Sequence, residues 1–415
     1  MKKLGKYSMG MGDRFGHQGH AQLKAITEAG KKGVIITPVW NKSNREHMII
    51  GTQPQDVRKE ADTVTKASGF VEPYFVDADH INLDTVDRFI SSSDFFTIDV
   101  ASYIGKRADD SKISEFIGKA KKYTGKIEVP GIKKPFKCTV EQLTAIAENY
   151  LFAARKAGEI YGKIEKAKGA GNFITEVSMD EVAKPQSPVD LFFILLMLSG
   201  ENVPVQTIAP KFSGRFNKGV DYVGDIDKFV IEFEEDLLVI DHAVKEFGLP
   251  TELKISIHSG SDKFALYSHI GSILRKHDKG VHLKTAGTTW LEEIIGLAEA
   301  GGEALDFAKA IYVQALEKTE ELCAPYADVI DINASLLPTA GEVRSWNSRK
   351  FASSLRHDQS NRDYNPNMRQ LVHVAYKLAA HEMDDFYRLL EEYKEIVSQC
   401  VFENMYERHI KRLFL

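Results

Sequence analysis

The sequence predicts an α/β fold, a TIM-like (β/α)8 barrel. Short β-branched runs alternate with amphipathic helical stretches, the pattern of parallel strands joined by right-handed crossovers. Eight such runs can be counted, the number that closes this barrel. An open doubly wound sheet would place a glycine-rich phosphate loop after its first strand. Here the first run leads into PVWNKSNREH, and the glycines of GMGDRFG (10–16) have no run before them. A dinucleotide fold is therefore disfavoured.

The runs, in order, are GVIITPVW (33–40), FVEPYFVDADH (70–80), DFFTIDVA (94–101) and NFITEVSMDE (172–181). VPVQTIAPKF (203–212), LKISIHSG (253–260), GVHLKTAG (280–287) and VIDINASL (329–336) follow. Each is short, apolar and closed by polar residues or glycine. The stretches 20–32, 54–68, 82–93, 139–169, 187–198, 226–248, 263–277 and 290–326 read as helices. The most apolar, VDLFFILLMLSG, is too short to span a bilayer and reads as a buried helix. Two segments exceed a minimal barrel. The Lys- and Gly-rich 107–138 is an insertion after the third strand, and 344–415 is a helical extension. The expected organisation is a barrel domain over 1–343 and a C-terminal extension. The extension packs on the barrel or against a partner subunit, which leaves room for a homo-oligomer.

The 415 residues are 43% hydrophobic with a net charge of -5. That supports a sizeable core and gives no basic footprint for nucleic acid. Three scattered cysteines fit neither a zinc motif nor a disulfide framework. The N-terminus has no apolar core for a signal peptide. The expectation is a cytoplasmic protein acting on a small molecule, with no membrane partner.

In a TIM barrel the active site lies at the C-terminal strand ends. The second run ends in Asp77, Asp79 and His80, the third in Asp99, the fourth in Glu176 and Asp180. The fifth offers Gln206 and Lys211, the sixth Lys254, His258 and Ser259, the seventh His282 and Lys284, the eighth Asp331 and Asn333. Imidazoles and carboxylates converging on one mouth are the usual ligands of a catalytic divalent cation, with Zn, Mn, Ni, Co and Fe all open. His80, His258 and His282 are the first choice of metal ligands, with Glu176 and Asp331 as alternates. The competing reading makes each histidine a hydrogen-bonded core residue and the aspartates helix caps. A lysine alternating with buried residues, as in IAPKF and VHLKTAG, needs an anion, which an acidic sugar would supply. The acidic run EFEEDLL (232–238) reads as a solvated helix face with Phe233 and Leu237 turned inward.

SMGMGDRFGHQGHAQLKA (8–25), VDADHINLDTVDRF (76–89) and SIHSGSDKF (256–264) together resemble the tagaturonate/fructuronate epimerase family of bacterial hexuronate catabolism. VHLKTAGTTWLEE (281–293) and LRHDQSNRDYNPNMRQLVHV (355–374) are similar as well. The resemblance implies a divalent-metal-dependent isomerase that interconverts D-tagaturonate and D-fructuronate. It also implies a proton-accepting carboxylate beside a metal-binding histidine, carried onto Asp79 and His80, with Glu176 as the second acid. The two sugars differ at a carbon beta to the ketone, so retro-aldol cleavage and re-addition is the expected route, with transient hydride transfer as the alternative. Asp13 and Arg14 in GDRFG, Lys211, Lys284 and Arg356 are the candidates for binding the substrate and its carboxylate. A metal-dependent aldolase of acidic sugars, or a non-catalytic sugar-acid binder, are the competing functions.

Overall fold

A computed structural model describes residues 2–285 and 287–415, so Ala286 of the seventh expected strand lies outside the described residues. Eight parallel strands close a barrel: β1 (Tyr7–Gly12), β2 (Ile36–Ser43), β3 (Phe75–Ile81), β4 (Phe95–Asp99), β7 (Ile174–Ser178), β8 (Thr207–Ala209), β9 (Lys254–Ile257) and β10 (Val281–Thr285). Neighbours run β1-β10-β9-β8-β7-β4-β3-β2. The remaining two strands, β5 (Gly125–Ile127) and β6 (Phe136–Cys138), form a separate antiparallel hairpin.

Two expectations need correction. The run 329–336 is not the eighth strand: it carries only a short 3-10 turn, Ala334–Leu336, capped by Asn333. Its place in the closed barrel is taken by YSMGMG, which pairs with β2 on one side and β10 on the other. That segment lacks β-branched residues, so it carries no strand signal of its own. A Cβ on Gly10 would come within 3.2 Å of Lys284 and 3.0 Å of Asn41, so β1 passes close to both neighbours there and a side chain would have to push them aside. The insertion 107–138 therefore follows the fourth barrel strand, not the third; it contains helix Asp110–Ala120 and the hairpin.

Side chains of a strand alternate between barrel interior and surrounding helices. Leu4, Val39, Phe75, Phe95 and Ile174 make a dry inner cluster. Two residues further along the same strands, the interior turns polar: Asn41, Asp77, Thr97 and Glu176 are buried. The larger core lies between the strands and the outer helices. There Phe233 and Leu237 are buried as expected, but Asp236 is buried with them. A second core gathers residues from Trp290 to Cys400, including helices Thr288–Ala300, Gly302–Glu317 and Pro366–Val374. No helix among the described residues is long and apolar enough to cross a membrane.

Candidate active site

The end of β3 is built so that two consecutive residues face one mouth. Pairing with β4 slips between Ala78 and Ile81, and His80 takes a φ of 51°, a left-handed conformation rare outside glycine. The bulge re-aims the imidazole to the side of Asp79. His80 Nδ1 then lies 2.7 Å from Asp79 Oδ1. Just past β9, His258 is followed by Ser259, also left-handed at 51°. Beyond β7, Asp180 extends the inward series Glu176 and Ser178, whose hydroxyl donates to Asp180 Oδ1 at 2.6 Å.

These segments bring His80, Asp180 and His258 together, with one donor atom from each lying within 4.8 Å of the others. Asp180 Oδ1 is 3.2 Å from His258 Nδ1 and 3.6 Å from His80 Nε2. Each imidazole has a carboxylate on its other nitrogen. Asp79 holds His80 Nδ1, and Glu176 Oε1 holds His258 Nε2 at 2.7 Å. Beneath them Lys284 Nζ contacts Asp77 at 2.8 Å, Asp79 at 2.9 Å, Glu176 at 2.9 Å and the Thr97 hydroxyl at 2.6 Å.

Burial opposes every charge here, and the neighbours decide the outcome. Against burial, Lys284 and then His80 hold the Asp79 carboxyl below the usual range. Lys284 and His258 do the same for Glu176, and His258 and His80 for Asp180. Asp79 and Asp180 in turn hold His80 well above the ordinary imidazole value. For Asp77, burial outweighs Lys284 and the carboxyl rises.

The donor set fits a divalent cation. Two imidazoles and a carboxylate are ligands such ions take, and the carboxylate behind each histidine fixes its ring as metal sites require. His80 Nε2 is buried without a hydrogen-bond partner, as is Glu176 Oε2. The cluster opens into a cleft of about 280 Å³ at the C-terminal ends of the strands, lined among others by Arg45, Asp79, Lys218 and Lys284.

The family model for tagaturonate epimerase matches residues 1–413. The chain belongs to the tagaturonate epimerase family. This makes it an epimerase of the isomerase class. A curated tagaturonate/fructuronate epimerase of Thermotoga maritima is 28% identical over 422 aligned residues, covering 98% of this chain and 79% of the relative. The fold is that of the fructuronate-tagaturonate epimerase of Cohnella laeviribosi. A glycerol complex of that protein superposes with a TM-score of 0.82 at 24% identity, over 99% of this chain and 82% of the other. Its native form gives 0.80 at 24% identity, over 100% and 82%.

In this epimerase-family chain, the residues singled out from sequence fall into groups. Asp79, His80, Glu176, His258 and Lys284 meet at the site. His282 lies two residues before Lys284 on the same face of β10, so it sits roughly 7 Å deeper. It packs against Phe95 and shares a 2.9 Å hydrogen bond with Ser8; burial pushes its imidazole down to about 3, so it is neutral. Asp331 pairs with Arg215 on the exterior. Asp13 accepts three backbone N–H groups, from Phe15, Gly16 and Gln18, and shapes its own loop. Arg14 lines the cleft but is tied to Glu46 at 3.1 Å and to the His373 carbonyl at 2.8 Å. Lys211 lines a neighbouring cavity. Arg356 pairs with Glu299 and Glu403, residues absent from the cleft lining. Sequence reading did not select Asp180, although it stood among the strand-end residues, nor Arg45, in the first turn of the short helix Asn44–Ile50, nor Lys218, which lies on a loop with no periodic signal.

Helix Pro366–Val374 of the C-terminal extension grips two of the mouth loops. Arg369 is fully buried and pairs with Asp262, four residues past His258, while His373 meets Arg14.

Proposed function

We propose that the chain carries out its family's reaction, interconverting D-tagaturonate and D-fructuronate, by retro-aldol cleavage and re-addition at the site where His80, Asp180 and His258 converge. The convergence of that triad, with a carboxylate behind each imidazole, is the observation that carries the reading. A divalent ion held by His80, Asp180 and His258 would act as a Lewis acid, stabilising negative charge on substrate oxygens and acidifying the hydroxyl to be deprotonated. Asp180 takes the third ligand position that the sequence suggested for His282.

The chain's own groups supply the rest. Numbering the sugar from its hydroxymethyl end, the ketone is C2 and the epimerised centre C4. Asp79 Oδ1 is engaged by His80 and Lys284, while Oδ2 makes no hydrogen bond among the described residues. Oδ2 is the atom that accepts the C4 hydroxyl proton. As it does so, the C3–C4 bond breaks, its electron pair enters a C2–C3 enediolate, and C4 becomes an aldehyde. Rotation about C4–C5 presents the opposite aldehyde face to C3. Bond formation then returns the electron pair, and Asp79 returns the proton. Lys284 keeps Asp79 ionised between turnovers. Glu176 is sealed beneath His258 and acts by orienting that ring.

The experiment is conversion of either ketouronate by the metal-loaded protein in deuterium oxide. Retro-aldol chemistry leaves hydrogen on C4 throughout. One deuterium at C4 per turnover would replace it with direct proton abstraction, and absence of conversion would overturn the reading.

A further inference from the structure

Of the cations first suggested for the substrate carboxylate, three are already committed to protein partners, Lys284 to three carboxylates, Arg14 to Glu46, and Arg356 to Glu299 and Glu403, while Lys211 lines the neighbouring cavity and not this cleft. Two other cations line the same cleft, and neither has a carboxylate within salt-bridge distance among the described residues. They are Arg45 and Lys218. Arg45 sits just past the end of β2, where Ser43 is the register partner of Asp79. Its guanidinium lies over the Tyr326 ring at 4.8 Å, which fixes its plane without occupying its donors. Glu46 and the exposed Glu181 are the acids closest to it in charge interaction. Lys218, on the loop after β8, lines the same cleft, and its Nζ is 3.5 Å from the hydroxyl of Ser259, the residue after His258.

The loop under Lys218 is fastened in an unusual way. The fully buried Lys263 ammonium donates to the carbonyls of Asn217 at 2.9 Å and Val220 at 2.7 Å. Arg369 donates to the Gly219 carbonyl at 2.6 Å, and the Lys218 amide donates to Val329 at 2.8 Å. Backbone oxygens on either side of one half-buried lysine are thus pinned by two buried cations. That arrangement presets the position of Lys218 and lowers the entropy lost when it binds an anion.

We propose that Arg45 and Lys218 together grip the substrate's carboxylate, and that this grip holds the cleaved fragment in place while it rotates. The inference rests on the hexuronate reading above. Cleavage between C3 and C4 leaves the carboxylate on the three-carbon aldehyde, the half that must turn about C4–C5. An anchor at C6 permits that turn and opposes escape. It separates an epimerase from an aldolase built on the same proton acceptor and metal ligands.

Arg45→Gln and Lys218→Met test the proposal, with Arg45→Lys as the charge-preserving control. Three probes are used: the ketouronates, the neutral ketohexoses D-fructose and D-tagatose, which carry CH2OH in place of the carboxylate, and D-galactonate, a carboxylate without a ketone. Each charge-removing variant should fold and load metal like the parent. Each should lose about 10- to 100-fold in kcat/KM for the uronate, mainly through KM, as expected for one charge-assisted contact. The preference for uronate over ketohexose should narrow by the same factor, and galactonate should bind correspondingly weaker. The double variant should release three-carbon aldehyde acid, seen with a reductase coupled to NADH, and Arg45→Lys should recover part of the loss. An unchanged uronate-to-ketohexose ratio, or unchanged galactonate affinity, in both single variants overturns the proposal. If the parent converts no uronate at all, the function reading fails, and galactonate binding still decides the grip.

Discussion

Replacing Lys284 by methionine removes one cation from among three carboxylates. Lys284 Nζ is 2.8 to 2.9 Å from Asp77, Asp79 and Glu176, and all four side chains are almost wholly buried. At an effective dielectric constant near 20, each contact corresponds to about 6 kcal/mol of Coulomb attraction. Most of that is offset by the cost of desolvating the charges. Removing one partner of a buried pair costs about 3–5 kcal/mol, because the remaining charge is left uncompensated. Lys284→Met should therefore lose about 3–5 kcal/mol in urea unfolding of the metal-free protein at neutral pH. The decisive comparison adds Asp77→Asn. In the parent this substitution weakens the lysine's cage and destabilises. In the Lys284→Met background the Asp77 carboxyl, already raised by burial, takes up a proton, so Asp77→Asn exchanges one neutral group for another and its cost should fall to near zero. Parental stability in Lys284→Met, or destabilisation by Asp77→Asn in both backgrounds, would refute the reasoning.

Asp79→Asn should keep metal and substrate binding and lose about two to four decades of turnover, the usual contribution of one acid–base group; near-parental rates would exclude Asp79 as the proton acceptor. His258→Ala and Asp180→Ala should each lose bound divalent metal on elemental analysis, whereas His282→Gln should retain it, because His282 sits a layer below the triad; metal loss only in the His282 variant would reverse the ligand assignment. Glu60 tests pH dependence away from the site. Burial and then Asp13 push its carboxyl from 4.5 up to about 8. Between those values the folded chain holds a proton that the unfolded chain has released, so this group's contribution makes stability fall as pH rises. Glu60→Gln should remove about 2 kcal/mol of that loss between pH 5 and pH 8, less than the full shift implies because a surface groove reaches this residue. Parallel pH profiles for parent and variant would rule it out.

Seven barrel strands were legible because their runs are β-branched or aromatic and end in polar residues. VIDINASL has the same look and is not a strand, since local propensity says nothing about whether a neighbour is available. YSMGMG was hidden for the opposite reason: it has no β-branched residue, and one of the two strands that make it a barrel strand, β10, lies far along the chain. At the site, listing strand ends collected Asp79, His80, Glu176, His258 and Lys284. The period of two could have gone further. His282 and Lys284 share a face, so only one of them can stand at the upper level. Lys218 was out of reach, because its placement depends on a loop held by Lys263 and Arg369, and Arg45 because the short helix Asn44–Ile50 that carries it was not read from the sequence.

The hold of helix Pro366–Val374 on the mouth loops bears on how the protein is made. The last barrel strand is complete at Thr285, yet Arg369 and His373 come much later in the chain. At ordinary translation speeds of 5–20 residues per second, that interval lasts about 5 to 20 s. During it a nascent chain can own every strand of its barrel while Asp262 and Arg14 still lack their clamps. The mouth therefore cannot take its final form before His373 has been made, and a chain that stops short of Arg369 has a barrel whose rim lacks this clamp.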